Sequence, residues 1–235
     1  MTTISVCDLL EGPHLRHHIE SIARRLGTDD LAAAASLFQK RYCGKLLSSV
    51  LNPLTRLRVG ILAPAEALDI VLEDDLPAEV VLHAPQTRMV NLHDAQEEDR
   101  LRSEVFRALF DDNLGRLSMR IASEIGVSLR VLWGNIGNYG CWLYEDVLLQ
   151  DPDLQDRARR DFEALMACPG MDKTPPLACS CQKVFVEDAE PPRWARVRQT
   201  CCLAYKFEGR TPCYTCPRLS MAQRAELLPK PIPAP

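Results

Sequence analysis

The chain has 235 residues, of which 46% are hydrophobic and 26% charged, and its formal net charge is −4. This is the composition of a globular protein that can bury a core in one domain or two, and the charge does not favour a nucleic-acid or membrane-surface binder. No run of 18 apolar residues and no secretory signal pattern occurs, so we expect no transmembrane segment and a cytoplasmic location. Cytosolic thiols stay reduced, so the ten cysteines are expected to bind metal or do chemistry rather than form disulfides.

The first half of the chain is predicted to form two helices followed by short strands. Apolar residues recur at helical spacing over 14–26, and Thr28 is a candidate N-cap for a second helix. We expect that second helix to end at Asn52-Pro53, because the residue before a proline avoids the helical conformation. Three β-rich runs punctuated by prolines then predict a small antiparallel sheet; they are residues 55–62, 67–73 and 79–84.

The second half is predicted to be mainly helical. Asp94 and Glu97 form a candidate capping box. Two apolar stripes at helical spacing follow, one of Leu101, Val105 and Leu109 and one of Leu117, Ile121 and Ile125. A further helix is expected from Asp151-Pro152 to about Met166. Residues 169–192 contain five prolines and predict a linker around one short strand, KVFVE.

These elements together predict an α+β fold, with helices and a small antiparallel sheet in the N-terminal half and a mainly helical C-terminal half. The predicted organisation is an α+β subdomain over 1–93, a helical part over 94–217 and a proline-rich tail over 218–235.

The most informative stretch is CCLAYKFEGRTPCYTCP, residues 201–217, which has the spacing C-C-x10-C-x2-C. Three interpretations are open: a structural zinc site, a 2Fe-2S cluster, and a redox-active C-x2-C pair. Adjacent cysteines are awkward for one zinc ion, because neighbouring side chains tend to diverge, and a redox pair does not explain Cys201 and Cys202. Residues 190–218 carry six basic and two acidic side chains, a balance that would suit an anionic cluster or simply a solvated basic segment.

The same stretch resembles the C-terminal signature of FhuF-like ferric siderophore reductases. The resemblance rests on an Arg-x-x-Cys-Cys start, an aromatic-containing spacer and a Cys-x2-Cys-Pro finish, here Arg198, Cys201, Cys202, Tyr205, Cys213, Cys216 and Pro217. A weaker similarity lies in the Leu-Trp-Gly-Asn segment of RVLWGNIGNYGCW. The resemblance implies that Cys201, Cys202, Cys213 and Cys216 hold a 2Fe-2S cluster, so that the helical half would end in an iron-sulfur cluster loop.

The resemblance also implies the activity, which is one-electron reduction of Fe(III) held by a hydroxamate-type siderophore, releasing Fe(II) in the cytoplasm. Such an oxidoreductase needs no catalytic residue beyond the cluster. Its electron donor would be external, such as a ferredoxin, a flavoprotein or an NAD(P)H relay, since the chain has no Gly-rich nucleotide fingerprint.

Candidate substrate-contacting residues lie in and next to the Leu-Trp-Gly-Asn segment; they are Arg130, Trp133, Asn135 and Tyr139. The alternatives to a reductase are a non-enzymatic zinc-binding structural or interaction protein, and an iron-sulfur protein that senses or delivers electrons without a siderophore.

Overall fold

The computed structural model describes residues 1–11, 13–83, 86–89, 95–168 and 181–228, and for 86–89 it describes the backbone only. Three expectations lie wholly or partly outside these residues: the Asp94 half of the capping box, the predicted linker up to residue 180, and the tail from residue 229. The described residues confirm the predicted α+β class, with mostly helical structure and a small antiparallel sheet in the N-terminal half.

The N-terminal half combines three helices with five short strands. The helices are α1 (Val6–Leu10), α2 (His14–Arg25) and α3 (Leu31–Leu57). The strands are β1 (Thr2–Ser5), β2 (Val59–Leu62), β3 (Leu68–Glu73), β4 (Leu76–Leu82) and β5 (Gln86–Met89). Antiparallel pairing places β3 between β1 and β4, while β2 pairs with β5 in a separate ladder. The strand β1 was not predicted.

Helix α3 differs from its predicted bounds at both ends. Its N-cap is Asp30 rather than Thr28, because the Asp30 carboxylate accepts a hydrogen bond of 2.8 Å from the amide of Ala33. The expectation that it ends at Asn52-Pro53 is wrong, since the helix continues through the proline to Leu57. The lost backbone hydrogen bond is offset by burial of the next turn, where Thr55 donates to the Asp161 carboxylate at 2.8 Å.

The described part of the C-terminal half is mainly helical from Ala95 to Ala167. It contains α4 (Ala95–Phe106), a π-helical stretch over Arg107–Gly115, α5 (Arg116–Ile125), α6 (Leu129–Cys141), a second π-helical stretch over Trp142–Val147, and α7 (Gln155–Ala167). Helix α7 begins three residues after the predicted Asp151-Pro152 start, and Asp151 instead accepts from the amide of Asp153.

A β-hairpin and a short helix complete the described chain. Strand β6 (Cys181–Val186), which includes most of the predicted KVFVE strand, pairs antiparallel with β7 (Arg193–Arg198). Helix α8 (Met221–Leu227) lies in the stretch that was expected to be a proline-rich tail. Neither β7 nor α8 was predicted.

The hydrophobic core is organised around α3, which packs against α2, α6 and the strands β2 and β4. One cluster of buried apolar residues extends from Val6 to Phe207 and draws on both halves of the chain. The two predicted apolar stripes lie in it, with Ile125 only partly buried. Among the described residues, no helix combines the length and the apolar character that crossing a bilayer requires.

Candidate functional site

The four motif cysteines lie in the loop between β7 and α8. After β7 ends at Arg198, the chain turns at Leu203, whose φ of 63° is in the left-handed region. A turn at the far end of the loop brings the amide of Cys216 within 2.8 Å of the carbonyl of Cys213. These turns fold the loop back on itself, so that Cys201, Cys202, Cys213 and Cys216 line one pocket of about 170 Å³, here called the cysteine pocket.

The four thiols are close enough to interact electrostatically. Burial raises the pKa of the Cys216 thiol, and the neighbouring Cys201, Cys213 and Cys202 raise it further. Cys202 and Cys216 are buried, Cys201 is half-buried and Cys213 is exposed. Within the described ranges, no three His, Cys, Asp or Glu side chains converge as a site for one metal ion.

Two helices of the core hold the first half of the loop. The Ser36 hydroxyl on α3 donates to the Cys202 carbonyl at 2.9 Å. On α6, Gly134 lies against Thr200, and a Cβ added to that glycine would collide with the Thr200 hydroxyl. The glycine of the Leu-Trp-Gly-Asn segment is thus needed for the close approach of the cysteine loop to α6.

A buried arginine from α8 holds the second half of the loop. Arg224 is 2% exposed, and its guanidinium donates to the carbonyls of Tyr214 and Cys216, the latter at 2.9 Å. A capping box of Ser220 and Gln223 fixes the start of α8. Both halves of the loop are therefore anchored before any ligand is considered.

The cysteine pocket also contains positive charge. The Lys40 ammonium on α3 lies 4.0 Å from the Cys202 sulfur. Arg198 lines the pocket, is 1% exposed, and donates one hydrogen bond to the side-chain oxygen of Asn135. Its Nε and Nη1 have no hydrogen-bond partner in the part of the chain that the structure describes. A buried cation with unsatisfied donors is costly, so this pocket fits an anionic group held by the thiolates.

The four candidate substrate residues do not form one site. Arg130 is exposed, and Trp133 is partly buried against the core. Asn135 is fully buried; its amide nitrogen donates to Gln39 and Ser36, and its side-chain oxygen accepts from Arg198. Tyr139 lines a different groove of about 610 Å³, and burial raises its pKa to about 12.

Sequence reasoning missed several residues that shape the site. Ser36 and Lys40 lie one helical turn apart on α3, and both reach Cys202. Their spacing places them on one helix face, but nothing in the local pattern connects that face with a loop more than 160 residues away. Thr200 and Arg224 likewise belong to no motif that could have singled them out.

Comparison with known proteins gives a family and a fold. Residues 36–192 match the family model described as "Ferric iron reductase FhuF-like transporter", and the match ends before the first motif cysteine. Among curated proteins no relative is found.

The solved structures that resemble this chain include aerobactin synthetases from a hypervirulent pathotype of Klebsiella pneumoniae. ATP-bound IucA is 13% identical with a TM-score of 0.57, covering 71% of this chain and 32% of the synthetase. IucC is 18% identical with a TM-score of 0.56, covering 75% and 36%. A second IucA structure is 14% identical with a TM-score of 0.53, covering 62% and 30%. The chain thus shares a fold with about a third of these proteins.

The family match is the stronger of the two findings, because it spans well over half of the 235 residues. The protein belongs to the ferric iron reductase FhuF-like transporter family.

Proposed function

We propose that this protein is a ferric siderophore reductase whose 2Fe-2S cluster is held by Cys201, Cys202, Cys213 and Cys216. The observation that carries the proposal is the cysteine pocket itself, in which four thiols share one space with the buried, unsatisfied guanidinium of Arg198. Membership of the ferric iron reductase FhuF-like family supports an iron function for the protein.

The spacing of the cysteines favours a cluster over a single zinc ion. Tetrahedral zinc needs four ligands converging on one metal at about 2.3 Å, which adjacent cysteines with diverging side chains reach poorly. Four thiolates spaced around a pocket of about 170 Å³ suit a group with two metal centres. The adjacent cysteines support the same choice, since divergent neighbouring sulfurs can each reach a different iron.

When bound, the cluster would supply one electron to a ferric chelate beside it. The residues of the chain do the rest: the thiolates hold the group, the buried Cys202 and Cys216 keep their side of it from water, and Arg198 and Lys40 balance its negative charge. Hydroxamate oxygens are hard anionic donors that bind ferric iron much more strongly than ferrous iron, so one electron suffices to loosen the metal. No proton transfer by a side chain is required.

The proposed donor is an external ferredoxin, flavoprotein or NAD(P)H relay, and the proposed setting is cytoplasmic iron uptake. Both parts of the proposal rest on the resemblance to siderophore reductases.

Turnover with a ferrous trap tests the reductase function. The protein is purified without oxygen, reduced chemically, freed of excess reductant and mixed with a ferric trihydroxamate and a colorimetric Fe(II) chelator. We expect the visible spectrum of the oxidised protein to return while Fe(II) accumulates in the trap. If the protein stays reduced and no Fe(II) is trapped, the reductase function is wrong, and an electron-carrying or sensing role takes its place.

A further inference from the structure

A second pocket opens directly beside the cysteine pocket. It has a volume of about 420 Å³ and lies between the middle of the cysteine loop and helix α8, and it is here called the α8 groove. Tyr205, Arg210 and Pro212 line both the α8 groove and the cysteine pocket. A ligand bound in this groove would therefore lie next to the cysteine pocket.

The α8 groove is positively charged. Arg210 and Arg218 are both exposed, and each guanidinium lies over an aromatic ring, with Arg218 4.1 Å from the ring centre of Tyr205. Neither arginine makes an ion pair with a carboxylate in the part of the chain described. Glu226 is the one acidic side chain among the described residues lining the groove. Stacked guanidinium groups keep their donors available for anionic oxygens.

The walls of the α8 groove are held in place without a ligand. The buried Arg224 ties α8 to the loop carbonyls at Tyr214 and Cys216, and the Ser220–Gln223 capping box fixes the entry to the helix. A preformed site loses less entropy on binding than one that must be ordered.

We propose that the α8 groove binds the ferric chelate, with Arg210 and Arg218 contacting its anionic oxygen donors and the exposed Leu227 contacting its apolar backbone. This inference rests on the proposed function and adds the place and chemistry of substrate binding. The volume of about 420 Å³ lies within the usual range for small-molecule sites.

The larger groove at Tyr139 is less suitable for this ligand. It has no lining residue in common with the cysteine pocket, so a chelate bound there would not lie next to the thiols.

Binding of a gallium trihydroxamate to the full-length protein, measured by calorimetry, tests the proposal. Gallium(III) has the charge and size of ferric iron but accepts no electron, so binding is measured apart from reduction. We expect Arg218→Gln and Arg210→Gln each to weaken binding about fivefold, as loss of one charged contact would. Arg218→Lys should be intermediate, because it keeps the charge and loses the stacking on Tyr205.

The matched control is Arg41→Gln, which removes an exposed cation from the Tyr139 groove and should leave the affinity unchanged. The proposal is overturned if the two groove variants bind normally while folded, as judged by circular dichroism, or if only the Arg41→Gln variant binds more weakly. It is also overturned if chelate binding is intact in the groove variants but their reduction by a donor protein is slowed, since the groove would then dock the donor. If the Arg210 and Arg218 variants bind the gallium chelate more weakly, as expected, but the unmodified protein yields no trapped Fe(II), the reductase function is wrong and the proposed binding site stands.

Discussion

At the scale of single residues, Arg198 is the side chain that depends most on what occupies the cysteine pocket. It is 1% exposed, and only one of its guanidinium nitrogens has a partner among the described residues, the side-chain oxygen of Asn135. Asn135 is in turn held by Ser36 and Gln39. These hydrogen bonds fix the orientation of the Arg198 guanidinium. Burying this charge without a counter-ion costs free energy, and an anionic group nearby would offset that cost.

Replacing Arg198 with Met should therefore affect the cluster-free and the cluster-bound protein differently. The apolar variant removes an unsatisfied buried charge, so the metal-free protein should gain about 1 kcal/mol or more of unfolding free energy. The loaded variant should have a lower reduction potential, because a cation next to the cluster no longer stabilises the added electron. Thermal melts of both forms and a redox titration measure these effects.

Arg41→Met, which removes an exposed cation outside the cysteine pocket, is the control and should change neither quantity. A potential that is unaltered in the Arg198→Met variant would contradict the role given to Arg198.

Cys202 contacts α3 through both its backbone and its side chain, since its carbonyl accepts from the Ser36 hydroxyl and its sulfur lies 4.0 Å from the Lys40 ammonium. We expect Cys202→Ser to lower bound iron to less than about half, because serine oxygen is a poor substitute for thiolate. Iron and sulfide assays with the visible spectrum measure this loss. Cys7→Ser lies outside the cysteine pocket and should keep full iron content; a full spectrum in the Cys202 variant would remove that residue from the ligand set.

At the scale of elements, α3 and α6 together form the surface against which the cysteine loop packs. Gly134 on α6 contacts Thr200 so closely that no side chain fits between them, and Ser36 on α3 binds the Cys202 carbonyl. The Leu-Trp-Gly-Asn segment and the cysteine loop are far apart in sequence but pack directly against each other in the structure.

Gly134→Ala should move the cysteine loop away from α6. We expect the variant to lose about 1–3 kcal/mol of unfolding free energy through overpacking and to lose much of its bound iron. Gly44→Ala is a matched control. The added Cβ on α3 would press on the ring of Tyr139 on α6 and not on the cysteine loop. Comparable destabilisation of both variants, with iron lost only from Gly134→Ala, would support this account; equal iron loss in both would contradict it.

The elements also show how far the sequence could predict the structure. Long apolar stripes such as Leu101, Val105 and Leu109 are buried as predicted, because helical periodicity reports directly on one face. The turn after Pro53 stays helical because its buried contacts come from α7, more than a hundred residues away, which no local rule can report. Helix α8 is seven residues long, too short for a periodic pattern.

The candidate site was predictable only in part, for the same reason. The spacing of the four cysteines pointed to the loop, and they do line one pocket. The contact of Arg198 with Asn135 spans 63 residues and depends on how β7 lies against α6. The sequence could therefore not show that Asn135 is buried and contacts Arg198.

At the scale of the whole molecule, one large hydrophobic core draws on both halves of the chain, and a smaller cluster around Val186, Ala189 and Ala195 joins the β6–β7 hairpin to α8. The family match begins within α3 and ends before β7, so it covers most of α3 and all of α6 but not the cysteine loop. The fold shared with part of the aerobactin synthetases concerns architecture only. The proposed cluster chemistry depends on the loop, which lies outside the family match.

Metal and sulfide content of freshly purified, oxygen-free protein tests the central claim most directly. We expect about two irons and two acid-labile sulfides per chain, little zinc, and a reddish-brown colour from sulfur-to-iron charge transfer. A colourless protein with about one zinc per chain would contradict the account and would make the cysteine pocket a structural site.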